Sequence, residues 1–219
     1  MSSVVARNQT QVYIKHRKVQ GNLIVLSDSI FRNSSLFGIL YFSKGLHKIG
    51  VMNLFSSILI VESSSVTFEH NVVQYGSLYL NASTLSVENT QLSFFNNQRA
   101  VLLNKSTLNI IKSNVTFLSN SAGQNKQGGA MFIFASIVNV NTTEMSFSNN
   151  SGQVGGAIYF DSSTLCLTDN TTVNFNNNSV TVANKINNRL RLKIAGGAVA
   201  MTLSILTIRH NVRVIFIDN

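Results

Sequence analysis

The chain has 219 residues, 44% of them hydrophobic and 11% charged, with no proline or tryptophan and a formal net charge of +9. Its wealth of Val, Ile, Leu and Phe excludes a disordered chain, and the length is enough to bury a sizeable core. The single cysteine, Cys166, excludes an internal disulfide framework and a thiolate metal centre.

At the start of the chain, residues 1–8 lack the apolar stretch of a signal peptide. The longest apolar run, residues 36–42, is too short to cross a bilayer. Much of the positive charge lies in residues 7–18 and 185–193, with no aromatic side chains alternating as in a base-stacking platform. Nucleic acid is therefore disfavoured as a partner, and the basic residues read as solubilising loop charge. Residues 1–48 read as an N-terminal segment, a degenerate coil or a cap, with Leu23, Ile30 and Asn33 spaced as one degenerate coil.

From residue 49 to 219 one pattern recurs six times. Each copy has two apolar residues two apart, a polar turn, two more apolar residues two apart, and Asn three residues later. The copies are Leu59-Val61, Val66-Phe68, Asn71; Leu85-Val87, Leu92-Phe94, Asn97; Leu108-Ile110, Val115-Phe117, Asn120; Val138-Val140, Met145-Phe147, Asn150; Leu165-Leu167, Val173-Phe175, Asn178; and Leu206-Ile208, Val214-Phe216, Asn219. The last two carry one extra residue in the turn. Spacing by two in β-branched and aromatic residues predicts strands. Alternation points Cys166 away from the core.

A third strand precedes each pair. It opens on Gly128-Gly129-Ala130, Gly155-Gly156-Ala157 and Gly196-Gly197-Ala198, and the same offset gives Val51, Ser77 and Ala100 in the other copies. A repeat of this length means a solenoid. Three strands per repeat, stacked like on like, predict an all-β parallel β-helix of about six to seven coils. Its interior would hold a column of phenylalanines from Phe68 to Phe216. The Gly pairs are expected to supply positive φ at a corner. The six Asn residues are expected to bond turn backbone and one another. The spacing from each Asn to the next Ala position is 6, 3, 10, 7 and 20 residues, so insertions collect at one corner. Loops on one side of a rigid scaffold are where binding tends to reside; the longest, residues 179–195, carries Lys185, Arg189, Arg191 and Lys193. A leucine-rich-repeat core fits once, at Leu203, Leu206, Ile208 and Asn211; the β-helix explains six copies.

Gly-Gly-Ala followed some 20 residues later by Phe-x-x-Asn resembles the chlamydial polymorphic outer-membrane protein repeat. The tetrapeptides begin at Phe68, Phe94, Phe117, Phe147, Phe175 and Phe216, and the resemblance covers residues 49–219. It implies a right-handed β-helix and an extracellular or cell-surface adhesin. The chain departs from the bacterial pattern in lacking a signal peptide and a C-terminal barrel. Ending on the Asn of a repeat, it reads as a fragment or as a repeat domain that continues. Asn-x-Ser/Thr sequences begin at Asn8, Asn33, Asn81, Asn104, Asn114, Asn141, Asn149, Asn170 and Asn177, compatible with glycosylation.

Many β-helix proteins cleave polysaccharides, which requires paired carboxylates about 5–9.5 Å apart. The chain has eight acids, and only Glu62 and Glu88 hold equivalent positions in successive copies; a solvated turn is the simpler account of both. No acidic cluster points to calcium. His16, His47, His70 and His210 are scattered, without zinc spacing, and the Gly pairs open strands instead of phosphate-binding helices. No catalytic, cofactor-binding or metal residue is assigned. The expectation is a non-catalytic surface or secreted repeat protein with an adhesion or scaffold role, its partner a surface protein or glycan. The alternative is a pectin lyase-like carbohydrate-active enzyme or an inactive carbohydrate-binding relative.

Overall fold

The computed structural model describes residues 51–122, 127–180 and 197–219 in full and, before residue 51, the backbone of the strands Val4–Arg7, Gln11–Val12, Ile24–Ser27, Ile30–Ser43 and Leu46–His47. The described residues hold strands and turns, and no helix. The first wall is a parallel ladder that includes Met52–Phe55, Leu78–Asn81, Val101–Asn104, Met131–Phe134, Ile158–Asp161 and Val199–Thr202. Those six rungs close five turns from rung to rung, and Val4–Arg7 and Ile24–Ser27 precede them in the same ladder. The second wall stacks Thr84–Glu88, Thr107–Ile111, Ile137–Asn141, Thr164–Thr168 and Ile205–Ile208. The third stacks Gln91–Phe95, Asn114–Leu118, Glu144–Ser148, Thr172–Asn176 and Arg213–Ile217. Both join through Ile58–Glu69, a strand that runs unbroken through the corner. The fold is a parallel β-helix.

Burial alternates residue by residue along most strands of the second and third walls, as a sheet with one face on the core requires, with Ser93 buried between Leu92 and Phe94 as an exception. The phenylalanine column is present: Phe68, Phe94, Phe117, Phe147, Phe175 and Phe216 stack at 4.8, 4.9, 4.6, 4.9 and 4.9 Å between centroids. The small column Val51, Ser77, Ala100, Ala130, Ala157 and Ala198 is wholly buried, at 0–1% exposure. In the last winding Leu206, Ile208 and Phe216 are 42–50% exposed, because each is covered from one side only. Cys166 is half-buried on the outer face, between Asn139 and Thr207.

Three corners turn the chain, and each uses one residue in the left-handed region. They are, for example, Lys105, Lys112 and Ser119 in one winding and Ala135, Thr142 and Asn149 in the next. The extra residue of the last two copies becomes a second left-handed residue, giving Asp169-Asn170 and His210-Asn211. The residue after each turn points inward and is polar, forming columns of its own. At the third corner Asn71, Asn97, Asn120, Asn150, Asn178 and Asn219 link Nδ2 to Oδ1 at 2.8–3.1 Å. At the first corner Ser57, Ser83, Ser106, Ser136, Ser163 and Ser204 form a second column. At the second corner Ser64, Thr90, Ser113, Thr143 and Thr171 form a third.

Two expectations are corrected. Gly128 and Gly155 do take φ of +61° and +60°, but the second glycine of each pair serves close approach instead. A Cβ on Gly156 would lie 2.2 Å from the Gly197 carbonyl oxygen and 2.4 Å from that of Ser179. In the N-terminal segment, Asn33 pairs with Val61, on the second wall and away from the Asn corner, while Phe42 pairs with Phe68. A register shift between Ser34 and Gly38, which spacing alone does not reveal, brings Phe42 opposite Phe68. Leu23 lies outside the described residues.

Candidate functional site

An open groove of about 780 Å³ runs along the second corner. Its floor is the hydroxyl column, Thr90, Ser113 and Thr143, and its rims are the flanking residues of successive windings. On one side stand Asn89, Lys112, Thr142 and Asn170; on the other Gln91, Asn114, Glu144 and Thr172. The left-handed turn makes this surface, since it pushes the residue before each inward hydroxyl out into solvent. Rims repeat at the strand spacing of ~4.8 Å. Amides and hydroxyls at that spacing can donate and accept hydrogen bonds along an extended polar ligand. The floor hydroxyls are committed, since Thr90 Oγ1 donates to the Glu88 carbonyl at 2.8 Å and Thr143 Oγ1 to that of Asn141 at 2.8 Å. The hydrogen-bonding groups left to face solvent in the groove are those of the rims.

The insertion-bearing corner is the second candidate. Among its described residues, Tyr75 and Arg99 reach aromatic rings of the first wall. Tyr75 stacks on Tyr79 at 5.2 Å, and the Arg99 guanidinium lies 5.2 Å from the centre of the Phe132 ring. Leu102 and Tyr159, which point outward from their strands, are only 6% exposed. Desolvation raises the Tyr79 phenol, neighbouring Tyr75 adds to the rise, and a hydrogen bond with Asn104 opposes it. The basic residues Lys185, Arg189, Arg191 and Lys193 lie outside the described residues.

Glu62 and Glu88 are register partners on adjacent strands, as equivalent positions in successive copies require. The next residues in that column are Ile111, Asn141 and Thr168, so the acidic pair does not extend. His70 is exposed, with Nδ1 3.2 Å from Glu69 and Nε2 3.4 Å from Asn96. His210 occupies a left-handed turn, His47 ends the strand Leu46–His47, and His16 lies outside the described residues. Among the described residues, no three His, Cys, Asp or Glu side chains converge as a metal site would require. No helix among them is long and apolar enough to cross a membrane.

Residues 144–161 match the model of the Chlamydia polymorphic membrane protein repeat. The matched span holds one full junction of the solenoid: the strand Glu144–Ser148, the corner residue Asn150, the Gly155-Gly156 pair and the strand Ile158–Asp161. No curated protein and no solved structure matches the chain.

Sequence reasoning missed the two hydroxyl columns and the groove above one of them. The signal was present: a Ser stands two residues before the first apolar residue in all six copies, from Ser57 before Leu59 to Ser204 before Leu206. The same column accounts for several Asn-x-Ser/Thr sequences. In Asn81-x-Ser83 and Asn104-x-Ser106 the Ser hydroxyl donates to the carbonyl of that Asn at 2.9 and 2.7 Å.

Proposed function

We propose that this chain is a non-catalytic, cell-surface or secreted repeat protein whose rigid solenoid presents binding loops and polar corner grooves to a surface protein or glycan. The observation that carries the reading is the division of labour within each winding. Between Thr84 and Asn176 the second and third walls keep gap-free register, while the large length changes fall at a single corner, where the spacing from Asn to the next Ala position runs from 3 to 20 residues. A scaffold whose walls are fixed and whose loops vary is suited to recognition. The match to a membrane-protein repeat supports a surface or outer-membrane setting. The chemistry of the groove supports a neutral polar ligand over a phosphorylated one, since its rims offer six amides and hydroxyls, with one glutamate, for a single lysine.

The test is a glycan and surface-protein binding array run beside an assay for new reducing ends. Binding without cleavage is the expected result. A second reading, a carbohydrate-active enzyme, is favoured by the Glu62–Glu88 register pair alone. Cleavage that disappears in both Glu62→Gln and Glu88→Gln would establish that reading and overturn the first.

A further inference from the structure

Arg99 is the one described cation drawn into the body of the insertion-bearing corner, with only 7% of its surface exposed and a left-handed φ of 54°. Its side chain ties three windings together. Nη1 donates to the Tyr75 carbonyl at 3.2 Å, Nη2 donates to the Gln127 carbonyl at 3.2 Å, and the guanidinium lies over Phe132. Two features remain unexplained by that role. Nε is buried and has no hydrogen-bond partner. No carboxylate among the described residues, which include all the acids except Asp28, pairs with the charge.

Buried arginine is rare unless paired, because desolvating a full charge costs several kcal/mol that carbonyl dipoles and one aromatic face only partly offset. Burial pushes the guanidinium down to about 10, still charged at neutral pH. We propose that Arg99 is the recognition group of an anion site at this corner, and that the site takes a carboxylate. The Nε–H and Nη2–H edge of a guanidinium is a planar fork that a carboxylate meets with two parallel hydrogen bonds. A carboxylate also carries one negative charge against the one buried positive charge, whereas a phosphate dianion would leave net negative charge in the same desolvated place.

The experiment follows the arginine Nε–H resonances of the ¹⁵N-labelled chain by NMR. The Arg99 signal is identified by its loss in Arg99→Lys. Sodium acetate, inorganic phosphate and sodium chloride are titrated at constant ionic strength. A saturable displacement of that signal by acetate, larger than with chloride, is expected, together with a rise in thermal midpoint that Arg99→Gln lacks. An unmoved signal, or equal displacement by chloride, overturns the site. Displacement by phosphate with acetate silent overturns the assignment to carboxylates. If Arg99→Gln does not fold, the wild-type titration decides alone.

Discussion

Asn120 shows why one residue type holds the third corner. Its Oδ1 accepts from the Asn97 backbone N–H at 3.0 Å and from Asn97 Nδ2 at 3.1 Å. Its Nδ2 donates to Asn150 Oδ1 and to the Phe94 carbonyl, both at 3.0 Å. The amide is thus used as donor and acceptor twice each, which no other short side chain can do. Asn120→Ala is expected to destabilise by about 2–5 kcal/mol, because it strands the buried Asn97 N–H and Phe94 carbonyl of the preceding winding and breaks the amide column on both sides; chemical denaturation measures it. Phe147→Ala removes a wholly buried ring from the middle of the column and is expected to cost about 3–5 kcal/mol. Both columns were legible because a large or unusual residue at a fixed offset is conspicuous in sequence. The serine columns were not, since serine is common throughout this chain and equally suits an exposed turn. Arg99 adds a pH effect. Its folded value of about 10 lies below the ordinary arginine value, so between the two the unfolded chain binds more protons and stability rises with pH. Alkaline titration should show wild type gaining on Arg99→Met across that window.

At the scale of the elements, each wall was readable from apolar residues spaced by two. The order of walls followed from a constant offset between the glycine pair and the next strand. The conformations within the corners were not readable, because Ser, Thr, Asn, Lys and Ala all occupy left-handed turns here. What fixes those turns is the inward hydroxyl or amide that follows them, which restrains the backbone from one winding to the next. The second glycine of each pair is set by crowding between windings, again invisible to local pattern. Gly156→Ala is expected to destabilise strongly, as its Cβ would meet backbone oxygens that cannot move independently. A thermal midpoint within a few degrees of wild type would contradict the close approach. Removal of residues 181–194 is expected to leave the β signal in circular dichroism intact, since the rungs on either side, Ile158–Asp161 and Val199–Thr202, already pair directly.

For the molecule as a whole, stacking decides stability and function together. No winding encloses a core alone; each borrows its floor and ceiling from its neighbours, so the solenoid behaves as a one-dimensional array. The same geometry repeats surface groups at the strand spacing and gathers the variable loops along one edge. Architecture was therefore legible from the period, whereas the proposed ligand was not, because the rims and loops that would recognise it are where the repeat imposes no residue type. The sharpest test is proton NMR of the chain with labelled phenylalanine, read for through-space contacts between rings. Contacts between Phe94 and Phe117 and between Phe117 and Phe147, with none directly between Phe94 and Phe147, are the predicted result. A direct Phe94–Phe147 contact, or no contact between neighbours, would contradict the in-register column on which the account stands.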